Sequence, residues 1–325
     1  MKRKTLMAAA AVFALGICGT ALPTMAQTYP TKPVKVVVPF PAGGAADLTM
    51  RLLSPKLADQ LGQPFVIENK PGANGIIGTE MVASAQADGH TLLFAPREVF
   101  GINPVLQPTL PYDPIKSFSH IGIVTEGPYV LIANPALSIK SIDDLVALAK
   151  TKELSYASFG IGSMGHLNLE ALTQRLGIKM RHIPYKGAPP AVQAVVAGEV
   201  AIAIATAPSI LGLLSDGKLT ALAVGSEQRL ALLPGVRTIV ESGVPSDVVL
   251  PASFALAAPA GTPSAIVDRL AAAVSTALTD PAIADRLAAS GLVGIKSSPD
   301  RMRQAVRDDL KRFSAQVKAL DIKVE

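Results

Sequence analysis

The chain has 325 residues, of which 49% are hydrophobic, 17% charged and 4% aromatic. This length is sufficient for two ordinary domains with separate cores, and the composition excludes a disordered chain. A single cysteine, Cys18, excludes a disulfide scaffold and a cysteine zinc cluster, while His90, His120, His166 and His182 lack metal-ligand spacing.

Residues 1–26 are typical of a secretory signal peptide. Residues 2–4 are basic, an apolar run from Leu6 to Ile17 follows, and small residues precede Gln27. The apolar run is shorter than the about 20 residues that a membrane span requires, although an N-terminal anchor or a buried helix is an alternative. We expect cleavage near Ala26 and a soluble exported product. Lipidation at Cys18 is a further alternative, but Ile17 stands where lipidated cysteines normally follow a small residue.

Removal of this segment changes the charge of the protein. The formal net charge falls from +5 to +2, because residues 1–26 contain three basic residues and no acid. The rest of the chain lacks the clustered basic face with stacking aromatic residues that nucleic-acid binding requires. We therefore expect no nucleic-acid partner, and no later segment is long and apolar enough to cross a membrane.

The remaining chain alternates between strand and helix patterns. The first part predicts strands at 34–38, 65–67 and 91–95 and helices at 48–61, interrupted by Pro55, and 76–87. The second part, after a strand at 121–124, predicts strands at 129–133, 154–158, 200–205 and 219–224 and helices at 141–150, 166–176 and 188–197. The third part predicts a strand at 253–258 and helices at 264–289 and 299–320. This alternation predicts an α/β fold with parallel strands and helices on both faces.

A glycine pair follows the first predicted strand. Gly43 and Gly44 leave no side chain over the loop, and the free N–H groups of the following helix would attract an anion. The same pattern is consistent with a tight turn in which Asp47 is simply an acid at the start of the helix.

Residues 160–165 show the spacing G-x-G-x-x-G between a strand and a helix. A dinucleotide site would need an acid about 20 residues further on, and none is present there, so we expect no cofactor. A second anion loop with Ser158, Ser163 and His166 is one interpretation. An exported serine hydrolase using Ser163 or Ser158 is another, although Ile161 breaks the motif G-x-S-x-G.

Histidines and a Tyr-Lys pair complete the candidate residues. His182 to Gly187 is expected to follow a strand, and Tyr185 and Lys186 either face a cleft or lie on the surface. His90 and His120 are expected to be ordinary surface or turn residues.

Seven segments in order resemble the solute receptors of tripartite tricarboxylate transporters, the Bug family. They are residues 29–34, 38–44 with Asp47, 68–75, 87–93, 162–163 with 166–167, 182–187 and 258–263. The resemblance implies a periplasmic-binding-protein-like (type II) α/β fold, with a ligand cleft between two lobes and crossing hinge strands. It also implies that residues 27–125 plus 228–325 form lobe 1 and that residues 126–227 form lobe 2.

The resemblance further implies a receptor without catalysis that binds a small carboxylate, such as a di- or tricarboxylate or a related organic acid, and delivers it to a membrane permease. We expect a monomer, and a carboxylate sensor with a signalling output is an alternative. The implied ligand-binding residues are Phe40, Ala42, Gly43, Gly44, Asp47, Gly72, Asn74, Ser158, Gly162, Ser163, His166, Tyr185 and Lys186. The chain differs from many members at Ala201, where they carry Asp, and at Ser253, where they carry Trp.

Overall fold

The computed structural model describes residues 29–107 and 109–322, so the predicted signal peptide and Cys18 lie outside the described residues. The strands are β1 (Val34–Val38), β2 (Phe65–Asn69), β3 (Thr91–Pro96), β4 (Phe118–Gly127), β5 (Tyr129–Ala133), β6 (Leu154–Ser158), β7 (Met180–Pro184), β8 (Ile202–Thr206), β9 (Thr220–Val224), β10 (Ala252–Pro259) and β11 (Val293–Gly294). The α-helices are α1 (Ala45–Leu61), α2 (Ile76–Ala83), α3 (Glu98–Gly101), α4 (Asn103–Leu106), α5 (Ile142–Ala149), α6 (Met164–Leu176), α7 (Ala188–Ala197), α8 (Leu211–Ser215), α9 (Ser264–Thr279), α10 (Pro281–Ala288) and α11 (Pro299–Ala319). None of these helices combines the length and apolar character needed to cross a bilayer.

The strands form two sheets. The six-stranded sheet has the order β11-β4-β10-β3-β1-β2, and the five-stranded sheet has the order β7-β6-β8-β5-β9. We call the first sheet with its helices lobe 1 and the second lobe 2; their boundaries along the chain stay a prediction. The chain passes between the sheets at Pro128, between β4 and β5, and again through residues 225–251, between β9 and β10. Lobe 1 is therefore built from two separate parts of the chain.

The central strands are buried along their whole length. Every residue of β5, β8 and β10 is buried. Helices cover both faces of these sheets, and strands in that environment have continuous apolar sequences instead of alternating ones. This explains why compact apolar runs were sufficient to predict most strands.

Strand direction differs from the prediction in both sheets. β1, β2 and β3 are parallel, as are β6, β7 and β8. β10, however, runs antiparallel to β3 and β4, and β5 runs antiparallel to β8 and β9. The prediction of parallel strands holds for these two sets of three strands but not for β5 and β10, which each enter their sheet from the other lobe, at the edge where the parallel strands end.

Several helix boundaries also differ from the sequence pattern. The predicted helix 264–289 is two helices, because the Asp280 side chain accepts the N–H of Ala282 at 2.9 Å and caps a new helix at Pro281. The predicted helix 76–87 ends at Ala83, and α1 continues through Pro55.

Two histidine predictions are wrong. His182 lies within β7 instead of after a strand, because β7 extends to Pro184. His120 lies in β4 with 1% exposure, and its ring packs 5.4 Å from that of Phe100. The residues of β4 on the same face as His120 are apolar, and this explains why His120 is buried. His90 is half-buried in the turn before β3.

Candidate functional site

Asp47 fixes the shape of the loop after β1. Its Oδ2 accepts the N–H of Gly43 at 3.0 Å, and its carboxylate pairs with Arg51 at 2.9 Å. Burial, the largest single effect, opposes ionisation, but hydrogen bonds from Arg51, the Gly43 N–H and Asn69 together lower the pKa of Asp47. Gly43 has a φ of +81°, which favours glycine. The Asp47 carboxylate thus stabilises the conformation of this loop through its hydrogen bond to the Gly43 N–H.

The N-terminus of α1 has no side-chain cap. Gly44 is the N-cap residue, with φ −76° and ψ 164°, and Ala45 and Ala46 follow it. Within the described residues, the N–H groups of these three residues donate to no protein acceptor. The 17-residue helix places the positive end of its dipole at the same point. These N–H groups therefore form a position suited to an anion.

A cavity of about 500 Å³, including the part open to solvent, lies between the two lobes. Lobe 1 lines it with Phe40, Pro41, Gly44, Ala45, Ala46, Pro96, Glu98 and Phe254, and lobe 2 lines it with Tyr129, Phe159, Ala188, Pro189 and Thr206. The uncapped start of α1 is thus part of the wall. Most of the other lining residues are apolar, so an anion held at this helix start would have apolar surroundings.

The lobes approach each other closely around this cavity. A Cβ atom added at Gly187 in lobe 2 would lie 2.7 Å from Cδ of Pro41 in lobe 1. A Cβ atom added at Gly162 would overlap Cδ1 of Leu106, again across the cleft. A ligand in the cavity would therefore be enclosed by both lobes.

Glu98 is an acid in the cavity wall. It begins α3, is only 5% exposed, and accepts the N–H of Met164 in lobe 2 on its Oε2 at 3.0 Å. Burial raises the pKa of Glu98 to about 7, against the opposing effect of that hydrogen bond. The sequence pattern did not predict Glu98 as a site residue. The available signal was its position three residues after the strand predicted at 91–95, because the first glycine loop also follows the end of a strand.

The second predicted loop forms hydrogen bonds mainly within itself. Ser163 caps α6 by accepting the N–H of His166 at 3.3 Å, and the Gly162 N–H donates to Nδ1 of His166 at 3.1 Å. The Met164 N–H donates to the other lobe, as described above. From this loop Phe159 lines the cavity, whereas the ligand contacts predicted for Gly162, Ser163 and His166 stay predictions.

A stack of rings lies behind the second loop. The ring centroids of His166 and His182 are 3.9 Å apart at an angle of 11°, and Tyr156 lies 5.0 Å from His182. Burial lowers the pKa of both histidines to about 4. Ser158 Oγ lies 2.6 Å from Nε2 of His182, which is the kind of contact that the hydrolase alternative needs. Ser158 is, however, fully buried and lies outside the cavity lining.

The remaining predicted residues of lobe 1 surround the cleft without lining its cavity. The Asn74 side chain donates to Oδ1 of Asn103 at 2.8 Å, and Gly72 precedes it in the same turn. Ala42 and Gly43 are exposed at the tip of the first loop. Their ligand contacts stay predictions.

In lobe 2, Tyr185 and Lys186 are not among the residues that line the cavity, and their ligand contacts stay predictions. The Tyr185 hydroxyl donates to Oε2 of Glu199 at 3.2 Å, and Lys186 is exposed. Ala188 and Pro189, at the start of α7, line the cavity instead. The sequence placed this segment at the cleft, but it gave no local signal for which of its residues face inward.

A second cavity of about 480 Å³, again including the part open to solvent, adjoins the first and shares Pro96, Glu98 and Tyr129 with it. Ser253 lines this second cavity and donates to Glu126 at 2.9 Å, whereas Ala201 is buried outside both cavities. Within the described part of the chain, no cluster of three or more His, Cys, Asp or Glu side chains could hold a metal ion.

Two α/β lobes, two crossings between them and a cavity at their junction define a protein of the periplasmic-binding-protein class. A family model described as the tripartite tricarboxylate transporter family receptor matches residues 49–322, so the chain belongs to that family.

Individual relatives agree with this assignment over their full length. Protein BugT of Bordetella pertussis is 36% identical over 100% of both chains. The structure of the periplasmic binding protein BugD is 32% identical with a TM-score of 0.86, covering 91% of this chain and 100% of that one. The structure of Rpa4515 from R. palustris with adipate is 31% identical with a TM-score of 0.87, covering 91% of this chain and 99% of that one. The predicted family and fold class are thereby confirmed.

Proposed function

We propose that this chain is a periplasmic solute-binding receptor that captures a small carboxylate and, without catalysis, delivers it to a tripartite tricarboxylate-type permease. The observation that carries this proposal is the uncapped N-terminus of α1 in the wall of the interlobe cavity. The family assignment and the adipate in Rpa4515 support a small carboxylate ligand, which is a di- or tricarboxylate or a related organic acid. The signal-peptide pattern of residues 1–26 supports export, with cleavage near Ala26.

The free energies involved are compatible with binding without an arginine. Hydrogen bonds to a charged group contribute about 1.5–3 kcal/mol each, so three N–H groups would give about 5–9 kcal/mol before costs. Micromolar affinity needs about 8 kcal/mol net, and association has its own cost. Apolar contacts with side chains such as Phe40 and Phe159, together with enclosure by both lobes, supply the difference.

The direct test is a thermal-shift screen of mono-, di- and tricarboxylates against the mature chain, followed by calorimetric titration of each hit. Neutral amides of the same acids serve as ligand controls. The proposal predicts that at least one acid stabilises the protein and that its amide does not. A screen in which no acid raises the melting temperature would refute the ligand class.

The variant Gly44→Val tests the position of the site. The backbone at Gly44 is extended and a Cβ atom there meets only Pro41 O at 3.5 Å, so valine fits without strain. Its two methyl groups would cover the N–H groups of the helix start. We expect about tenfold or greater loss of carboxylate affinity with little change in melting temperature. Gly235→Val, at an exposed glycine with no neighbour within 4 Å of its Cβ position, is the control. Equal affinities of the two variants would exclude the α1 site.

Native mass spectrometry of the purified mature chain tests two further parts of the proposal. We expect a monomer, and we expect any retained ligand to be released as an acid on denaturation. A stable dimer would contradict the first expectation, and a retained ligand without an acidic group would contradict the second.

A further inference from the structure

Glu98 is the one charged side chain among the described residues that line the interlobe cavity. Its neighbour Arg97 does not neutralise it, because that guanidinium pairs with Asp309 at 2.7 Å and with Glu126 at 3.5 Å. No cation within the described residues pairs with Glu98, and its Oε1 accepts no hydrogen bond there. A receptor that binds anions thus contains an unpaired acid in its own ligand cavity.

Such a carboxylate is unfavourable in an empty apolar site. Burying an ionised group without a counter-charge carries a large desolvation penalty, which is reduced only when the group is paired or protonated. The hydrogen bond from the Met164 N–H satisfies only one oxygen and lowers the pKa, but burial outweighs it and raises the pKa of Glu98 to about 7. A ligand that supplies a positive hydrogen-bond donor would complete the environment of this side chain.

Aromatic rings line the same cavity. Tyr129 and Phe159 line it from lobe 2, with ring centroids 6.0 Å apart, and Phe254 lines it from lobe 1. Aromatic faces attract cations, and a carboxylate beside them strengthens that preference. The cavity wall therefore carries two electrically different groups: the positive start of α1 at Gly44 and the acidic side chain of Glu98.

We propose that Glu98 is a specificity-determining residue that selects carboxylates carrying an ammonium group, which it binds while the α1 start holds the carboxylate. This inference rests on the proposed function and narrows its ligand class to amino acids or other amino carboxylates. An acid without the amine would leave Glu98 unpaired. A second carboxylate beside Glu98 would face a like charge unless Glu98 took up a proton.

Matched ligands test this inference by isothermal titration at pH 7.5. The six-carbon set is hexanoate, norleucine, 6-aminohexanoate and adipate, and the four-carbon set is butanoate, 2-aminobutanoate, 4-aminobutanoate and succinate. Each set keeps the carboxylate and changes the remaining groups. We expect at least one amino acid of a set to bind the wild-type chain about tenfold more tightly than the unsubstituted acid and the diacid.

The variant Glu98→Gln removes the charge and keeps the side-chain shape and an acceptor for the Met164 N–H. We expect it to bind the amino acid and the unsubstituted acid about equally, and to gain affinity for the diacid. Glu153→Gln, which removes an exposed acid outside this cavity, should keep the wild-type preference. Melting temperatures identify a variant that is not folded, and Glu98→Met then provides a second neutral replacement.

The outcomes separate the two proposals. Three results would each overturn this inference and leave the carboxylate receptor intact. They are acids that bind without any preference for the amine, a diacid that binds the wild-type chain best, and a preference for the amine that is unchanged in Glu98→Gln. If no acid in either set binds, this inference fails, whereas the carboxylate receptor fails only if the thermal-shift screen also gives no hit.

Discussion

At the scale of single residues, Asp47 shows how a buried acid can serve the site without touching the ligand. Its carboxylate holds the Gly43 N–H and Arg51, and the residue is only 2% exposed. Its pKa is lowered in the folded protein, so the ionised form stabilises the fold at any pH above about 4, the usual value for Asp. That contribution is lost as the pH falls through the lower, folded-state pKa, since the folded carboxylate then takes up its proton.

The variant Asp47→Asn measures this contribution. We expect it to lower the free energy of unfolding by about 1–2 kcal/mol at pH 7, because the partner Arg51 is half exposed and partly screened. The difference from wild type should shrink between pH 4 and pH 3. Urea unfolding at these pH values is the measurement, with the exposed Asp247→Asn as control. A difference that is the same at pH 7 and pH 3 would show that the charge is not responsible.

At the scale of elements, α6 and β7 meet through the His166–His182 stack, with Tyr156 of β6 and the carboxylate of Glu170 close by. Burial, together with the neighbouring imidazole, lowers the pKa of His182 to about 4, while the nearby Glu170 opposes this shift. His166 and, in lobe 1, His120 also have pKa values near 4 because of burial. The unfolded chain therefore binds protons below pH 6.5 that the folded chain does not, and stability falls as the pH drops from 6.5 towards 4.

The variant His182→Phe keeps a ring in the stack and removes one of these three titrating groups. Each group contributes a slope of at most about 1.4 kcal/mol per pH unit in this window. Glu98 titrates in the same window with the opposite sign, because burial raises its pKa to about 7, and it offsets about one histidine. We therefore expect the variant to lose about half of the wild-type decline in unfolding free energy between pH 6.5 and pH 4.5. Urea unfolding at several pH values measures the slope, and His120→Phe should remove a similar share. An unchanged slope would mean that His182 is protonated in the folded state.

An element or contact could be predicted from the sequence only where the residues that cause it are neighbours in the chain. The β1 run and the Gly43–Gly44 pair are adjacent, so the start of α1 followed from sequence alone. The partner of Glu98 is the N–H of Met164, 66 residues further on, and no local pattern contains that contact. The His166–His182 stack likewise depends on the parallel pairing of β6 with β7. The break between α9 and α10, by contrast, could have been predicted from the sequence, because Asp280 is an acid followed by proline.

At the scale of the whole molecule, binding depends on how closely the two lobes approach each other. Two glycines that flank α6 allow this dependence to be tested. Gly162 precedes the helix with φ +74°, and Gly177 follows it with φ +64°. Alanine at either position has a similar backbone cost, since both are in the left-handed region. Only at Gly162 would the new Cβ overlap a side chain of the other lobe, Leu106, whereas Gly177 has open space.

We therefore expect Gly162→Ala to hold the lobes apart, weakening binding of the best acid from the screen several-fold and increasing the radius of gyration measured with that acid bound. Gly177→Ala should lose similar stability but keep the wild-type affinity. The double variant Gly162→Ala with Leu106→Ala should recover most of the affinity, because the methyl group then has room. Calorimetry and small-angle X-ray scattering provide the two measurements. If Gly162→Ala and Gly177→Ala bind equally well, the contact between Gly162 and Leu106 does not control closure, and the lobes must meet elsewhere when a ligand is bound.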